Sequence, residues 1–268
     1  MNDILSSDLI KEFTKNKTGL IGIGILLTLV MISLITAVTV PIDTFKQWNN
    51  PSNWISNPKT AMPIWVNYFV AEKIPEHVII ENPATISKEG EISVTSHQFE
   101  VEFLSDDFPN GFIYEFTAEY SGSPLLQIHV VRPDQAKILL LSTSLPNSET
   151  KIVHSERIFS TDDTIRKNIQ IQSAAMGFYR EGIPNEDLIF AGNEEKILKG
   201  NYLFLVNLYD VNEHTKIINS KLILGGKVFG IMGTDELRRD IMVGLLWGTP
   251  LALFIGISVA VGSVVAGL

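Results

Sequence analysis

The chain has 268 residues, of which 45% are hydrophobic, and it carries a formal net charge of −9. It contains no cysteine, which excludes disulfide bonds, thiolate catalysis and cysteine-bound metals. The acidic balance argues against nucleic acid and anionic lipid as partners, because both are themselves negatively charged.

Two long stretches, residues 19–40 and 241–268, contain no charged residue at all. They are 22 and 28 residues long, and about 20 apolar residues are needed to cross a bilayer core. Three lysines balance three acidic residues before the first stretch, so the whole net charge of −9 lies in residues 41–240. The sequence therefore predicts two transmembrane helices that flank one sizeable acidic domain.

Residues 1–18 are polar and end with the basic residues Lys11, Lys15 and Lys17 beside the first apolar stretch. By the positive-inside rule this end is expected in the cytoplasm. The stretch 19–40 is longer than the roughly 7–15 apolar residues of a signal peptide, and no small-residue cleavage site follows it. We therefore expect a retained transmembrane helix.

Residues 41–75 are rich in proline and tryptophan, including Trp48, Trp54 and Trp65. Proline excludes a long helix or a central strand, and tryptophan favours the membrane interface. The segment is expected to form an outer collar near the lipid head groups. Burial of the tryptophans in the soluble domain is an alternative that the sequence leaves open.

Residues 76–232 have the pattern of a β-rich domain. Apolar and polar residues alternate over 112–120 and over 99–103, which is typical of half-buried strands. Further candidate strands cover 125–131, 138–141 and 202–209, and the last is apolar on both faces, which favours a central position. Turn signals between them indicate a β-sandwich. One helix is expected after Thr161, which can cap it.

The second apolar stretch is preceded by Gly233-Thr234-Asp235-x-x-x-Arg239-Asp240 and contains Gly248. Thr234 can cap a helix, and Pro250 should end or kink it. This interpretation gives an interfacial helix within 233–249 and a second transmembrane helix over 250–268. An ordinary capped helix start is the simpler alternative.

The same residues resemble a segment of the permease subunits of dipeptide, oligopeptide and nickel ABC importers. That family typically has Gly-Thr-Asp-x-x-Gly-Arg-Asp on the outer side, just before its second membrane helix. This chain has Arg238 in place of the last glycine, which predicts that no positive φ is needed there. Basic residues followed by an apolar helix near Lys15 and Lys17 resemble the start of the same family.

The resemblance implies a membrane-spanning component of an importer of peptides or a related small solute. Its implied partners are a second permease subunit, ATP-binding subunits and an extracytoplasmic solute-binding protein. The fold class expected is an α+β membrane protein, multi-pass in the cell membrane, with residues 41–240 extracytoplasmic. Because the sequence stops inside the second helix, we expect the N-terminal part of a longer permease or a truncated product.

No catalytic, cofactor or metal site is expected. The histidines never have the three- or four-residue spacing of helical metal sites; they are His77, His97, His129, His154 and His214. No phosphate-binding GxxxxGK[ST] loop is present, so ATP hydrolysis is not expected of this chain. The main alternative function is a two-helix membrane sensor or scaffold that presents an extracellular β-domain. A membrane-tethered hydrolase ranks third, because no catalytic set supports it.

Overall fold

The computed structural model describes residues 14–81, 83–88, 93–192, 197–210 and 215–267. The chain forms two compact units. A helical unit contains the residues up to Ile55 and from Leu237 onward, and a β unit contains Ser56–Glu236.

Among its described residues, the helical unit includes the helices α1 (Lys17–Thr39), α2 (Ile42–Lys46) and α4 (Ile241–Gly267). Asn16 caps α1, because its side-chain oxygen accepts hydrogen bonds from the amides of Thr18 and Gly19 at 3.1 and 3.3 Å. Both α1 and α4 are long and apolar enough to cross a membrane, and they contact each other. The first predicted span is therefore a helix that starts two residues earlier than expected.

The second predicted span needs a correction, because α4 is one continuous helix that begins at Ile241 and includes Pro250. Residues 233–240 are not helical, so the separate interfacial helix that we expected over 233–249 is absent. Pro250 removes only one amide donor. A long apolar helix tolerates that loss when hydroxyl side chains bond nearby carbonyls, and the Thr249 hydroxyl donates to the Leu245 carbonyl at 2.9 Å.

The β unit is a sandwich of two antiparallel sheets with strand orders β1-β9-β4-β7 and β2-β3-β8-β5-β6. The strands are β1 (Val78–Ile80), β2 (Ala84–Lys88), β3 (Ser93–Phe103), β4 (Phe112–Gly122), β5 (Leu125–Val131), β6 (Lys137–Ser144), β7 (Ser148–Phe159), β8 (Gly200–Asp210) and β9 (Lys216–Leu224). The unit also contains helix α3 (Asp163–Ala175). Short 3-10 helices cover Ile64–Tyr68 and Asn185–Phe190.

The core of the sandwich includes the side chains of the strands that the period-two pattern predicted to be half-buried. Along β4 every second residue is buried, from Phe112 to Tyr120. These side chains meet β3 and β8 of the other sheet, and the rings of Phe99 and Tyr114 pack edge to face at 5.9 Å. Strand β8 lies between β3 and β5, so its central position is confirmed.

Helix α3 covers the free edge of β6. The side-chain amide of Gln172 accepts from the Leu139 amide at 2.9 Å and donates to the Leu139 carbonyl at 2.8 Å. The helix thus satisfies backbone groups that an edge strand would otherwise expose to pairing with another chain. Its N-cap is Asp162 rather than the expected Thr161.

The predicted collar is divided between the two units. Trp48 and Trp54 belong to the helical unit, whereas Trp65 belongs to the β unit. Trp54 is buried, packs edge to face on Trp48 at 5.4 Å and donates its indole N–H to the Trp48 carbonyl at 3.1 Å. The buried tryptophan, Trp54, therefore does not belong to the soluble domain, and Trp65, which does, is 46% exposed.

Candidate functional site

The motif residues singled out by the sequence fall in two groups. Gly233, Thr234 and Asp235 belong to the β unit, and Arg239, Asp240 and Gly248 belong to the helical unit. Each group is described within its own unit.

Two segments at the ends of the β unit pair with each other, and we call residues 58–69 and 227–236 the stem. The amide of Met62 donates to the Lys227 carbonyl at 2.9 Å, and the amide of Ile64 donates to the Gly230 carbonyl at 2.9 Å. Close to the two ends of the β unit, the amide of Thr60 donates to the Asp235 carbonyl at 3.1 Å. The chain therefore enters and leaves the β unit through one hydrogen-bonded pair of segments.

Gly233 lies where only glycine fits without strain. Its φ is +73°, and a Cβ at this position would collide with the carbonyl oxygen of Ala61. That close approach allows the next amide, of Thr234, to donate to the same Ala61 oxygen at 3.0 Å. The first glycine of the motif thus allows the two stem segments to approach each other closely.

Thr234 does not cap a helix, contrary to the sequence-based expectation. Its side chain is buried at 4% exposure. The hydroxyl accepts a hydrogen bond from the Ala61 amide at 2.9 Å and donates to the Pro58 carbonyl at 2.8 Å. The threonine therefore joins the two stem segments, because its hydroxyl satisfies one donor and one acceptor of the opposite segment.

Arg238 occupies the left-handed region with a φ of +65°. The expectation that the missing glycine implies no positive φ here is wrong. A residue with a Cβ pays roughly 1–2 kcal/mol for this conformation, and glycine avoids that cost. The backbone geometry at position 238 is therefore the geometry that a glycine favours.

Asp240 directly precedes α4. Its carboxylate accepts a hydrogen bond from the Met242 amide at 2.9 Å, and its carbonyl accepts from the Val243 amide at 3.1 Å. This arrangement is an N-cap, which a carboxylate suits because the helix N-terminus is positive. Burial raises the pKa of Asp240, while the hydrogen bonds from these two amides lower it.

Arg239 stacks on the ring of Trp48, and sequence patterns did not predict this contact. Its guanidinium lies 4.8 Å from the centre of the Trp48 ring, in the geometry of a cation–π contact. Gly244 lies against the same ring, and a Cβ there would come within 2.7 Å of Trp48. A small residue is therefore needed at position 244. By contrast, a Cβ at Gly248 would meet no atom within 4 Å.

A polar cavity of ≈ 500 Å³ opens between the sheets of the β unit and is lined by Thr95, His97, Lys216 and Ser220, among others. The Nδ1 atom of His97 lies 2.6 Å from the Ser220 hydroxyl. Burial lowers the pKa of His97, so the imidazole is neutral at physiological pH and can accept from the hydroxyl. Within the described residues no carboxylate is hydrogen-bonded to His97, so the orienting acid of a hydrolase triad is missing there.

Within the described residues no group of three or more histidine or acidic side chains is arranged to hold a metal ion. His214 lies outside the described residues.

Asp187 is the titratable group whose environment gives a clear pH prediction. Burial first, and then the neighbouring Glu186 carboxylate, raises its pKa to about 6, although Lys227 acts in the opposite direction. Between pH 3.8 and about 6 the folded state keeps a proton that the unfolded chain has released. The free energy of unfolding therefore falls as pH rises through this window.

We expect Asp187→Asn to raise the melting temperature at pH 7.5. The decrease in melting temperature between pH 4 and 6 should also be smaller in this variant than in the parent. The neutral amide removes the buried charge that disfavours the folded state above pH 6. The measurement is thermal melting across this pH range. Asp163→Asn, at the exposed start of α3, serves as the control and should give no gain at pH 7.5. An equal gain in both variants would contradict the assignment to Asp187.

Comparison with known proteins finds matches among solved structures. No protein-family model matches the chain, and no curated protein matches it significantly. Among solved structures the chain is similar to dimeric latent PorU from Porphyromonas gingivalis, with a TM-score of 0.30 and 6% identity over 65% of this chain and 14% of that chain.

Two further similar structures are TmCBM61 in complex with β-1,4-galactotriose and infectious bursal disease virus, Gx strain. The first has a TM-score of 0.24 and 8% identity over 65% of this chain and 98% of that chain. The second has a TM-score of 0.27 and 9% identity over 57% of this chain and 32% of that chain. Likenesses at these TM-scores carry no conclusion about function.

Proposed function

We propose that this chain is a membrane-spanning permease component of an ABC importer for peptides or a related small solute. In this proposal α1 and α4 are membrane spans, and residues 41–240 lie outside the cytoplasm. The chain itself is not an enzyme. Its partners are a second permease subunit, a solute-binding protein and separate ATP-binding subunits.

The exposure of the two long helices supports insertion into lipid. No described residue of α4 is buried, and side chains such as Phe254 and Val38 are 70% and 88% exposed. A long apolar helix in a soluble protein hides its side chains in a core, whereas a membrane helix presents them to lipid. The lipid bilayer is the environment that suits both helices.

The backbone geometry of the motif is the observation that carries the proposal. Gly233 and Arg238 both have positive φ, at +73° and +65°. They occupy the two positions at which the resembled family has glycine. A turn of this shape explains why a family would keep glycine at both positions, and the strained arginine is then a local departure from the same turn.

The other motif residues also have physical reasons for their identity. Thr234 joins the stem segments and Asp240 caps α4. These contacts would stabilise the turn in any protein that has it, so they support a shared local structure more than a shared transport activity. Transport is tested by partner assembly and uptake.

The test is affinity purification of the tagged, full-length protein from its native membranes, together with measurement of peptide uptake. We expect a second permease subunit and ATP-binding subunits in the purified complex. Asp240→Leu should reduce both assembly and uptake, because it removes the cap and the charge at the start of α4. Asp240→Asn keeps the cap and so separates loss of charge from loss of the helix start.

Absence of transporter subunits from the complex, with unchanged uptake in Asp240→Leu and Arg239→Leu, would refute the permease proposal. The second candidate is then a two-helix sensor or scaffold. It is favoured by the large separate β unit, Ser56–Glu236, which a permease pathway does not require.

A further inference from the structure

The stem of the β unit carries an exposed apolar surface, which we call the stem patch. Tyr68 and Phe69 are each 82% exposed, and Ile231 is 60% exposed. Met62 and Trp65 are exposed by 43% and 46%. Most aromatic side chains of the sandwich lie in its core, so this group of exposed rings and aliphatic chains is unusual within the unit. Such patches mark contact surfaces.

The patch is held in place by the stem. The indole N–H of Trp65 donates to the Ile231 carbonyl at 2.9 Å, which connects the two stem segments. The ring of Phe69 packs edge to face on Trp65 at 6.2 Å. With its polar atom already satisfied, Trp65 offers an apolar ring face to whatever covers the patch.

The position of the patch in the chain identifies its occupant. Ile231 is ten residues before Ile241, the first residue of α4. A fully extended connection of that length spans at most about 35 Å. If α4 crosses the membrane, the patch is tethered close to the bilayer surface. Tryptophan and tyrosine are enriched at the interface between lipid and water.

We propose that the stem patch docks on the head-group region of the lipid bilayer and holds the stem of the β unit against the membrane. The inference rests on the proposed membrane insertion of α1 and α4. Apolar and aromatic contact, rather than charge, provides the attraction, because residues 41–240 carry the net −9. The contact should therefore form on zwitterionic lipid and should not need anionic lipid.

The chain lacks cysteine, so a single introduced cysteine can be labelled at one known site. Phe69→Cys reports on the patch. Ile171→Cys is the matched control, because Ile171 is a 67% exposed apolar residue of α3 in the same unit. Leu34→Cys, in α1, reports on membrane insertion. The three full-length variants, labelled with a fluorophore, are reconstituted into phosphatidylcholine vesicles that contain shallow or deep lipid-attached quenchers.

We expect shallow quenchers to reduce fluorescence at position 69, deep quenchers to reduce it at position 34, and neither to affect position 171. Quenching at 34 with none at 69 would overturn the patch proposal and leave the permease proposal standing. Absence of quenching at 34 would overturn membrane insertion and, with it, both proposals. If the label at 69 is shielded from aqueous iodide but out of reach of lipid quenchers, a second protein copy covers the patch, and lipid docking is wrong.

Discussion

Arg132→Leu is expected to destabilise the β unit strongly, although the residue lies far in sequence from the motif. Arg132 is 2% exposed, and its guanidinium donates to the Leu188 and Ala191 carbonyls at 3.2 and 2.8 Å. It also pairs with Asp134 at 2.9 Å and lies 3.8 Å from the centre of the Phe178 ring. One side chain thus connects the β5–β6 turn to the end of the 3-10 helix Asn185–Phe190 and to Phe178, which follows α3.

Leucine fills part of the same volume but leaves both carbonyls without a donor. Each unsatisfied buried acceptor costs about 1–3 kcal/mol, and the cation–π contact is lost as well. We expect a total loss of about 3–5 kcal/mol, which is a large part of the stability of a typical domain. Pulse proteolysis of the purified chain across a urea series measures this loss.

Arg180→Leu is the matched control, because Arg180 donates from an exposed position to the Gly177 and Tyr179 carbonyls. Water can replace those bonds, so the expected change is within about 0.5 kcal/mol. Arg132→Lys should be intermediate, since an ammonium cannot reproduce the planar fork of donors. Equal midpoints for Arg132→Leu and Arg180→Leu would show that the buried guanidinium is not a structural anchor.

The strands could be predicted because their signal is local. In β4, buried Phe112 to Tyr120 alternate with polar residues, and this period of two depends only on which face of a sheet is covered. A different local signal located β8 at the centre of its sheet, because residues 202–209 are apolar on both faces. The two apolar helices could be predicted equally well, because their length and absence of charge suffice to identify them.

The start of α4 could not be placed from sequence, because two residues of the motif can both act as caps. Thr234 and Asp240 are each good N-cap residues, and the choice depends on the backbone between them. A positive φ at Gly233 and again at Arg238 turns the chain before the helix can start. An arginine gives no sequence signal for such a conformation, which is why the prediction at position 238 was wrong.

Contacts between side chains that are far apart in the sequence also could not be predicted from sequence patterns. His97 and Ser220 meet at 2.6 Å but are separated by 123 residues. Trp48 and Gly244 come into contact in the helical unit from opposite ends of the chain. Spacing rules detect ligands on one helix or strand, so a contact made by strand pairing or helix packing gives them no signal.

Gly233→Ala is expected to weaken the stem and Gly248→Ala to leave it unchanged, although both glycines belong to the motif. Alanine at position 233 must adopt a φ near +73° and place its Cβ against the Ala61 carbonyl oxygen. The left-handed conformation alone costs roughly 1–2 kcal/mol, and relief of the collision requires the stem segments to separate. We expect the total cost to be on the order of 3 kcal/mol, concentrated at the stem.

Alanine at position 248 meets no atom within 4 Å and lies inside α4. Because alanine is favoured over glycine in a helix by about 1 kcal/mol, this variant should be as stable as the parent.

Hydrogen exchange of peptides from 58–66 and 227–236 distinguishes the two variants. Gly233→Ala should exchange faster in both stem segments, while β4 and β8 remain protected because the sheets do not depend on the stem turn. Gly248→Ala should leave every segment unchanged. Unaltered stem exchange in Gly233→Ala would show that the turn at Ala61 tolerates a side chain. If Gly248→Ala preserves exchange but loses the second permease subunit on purification, the small residue is needed for close packing against a partner helix, as the permease proposal requires.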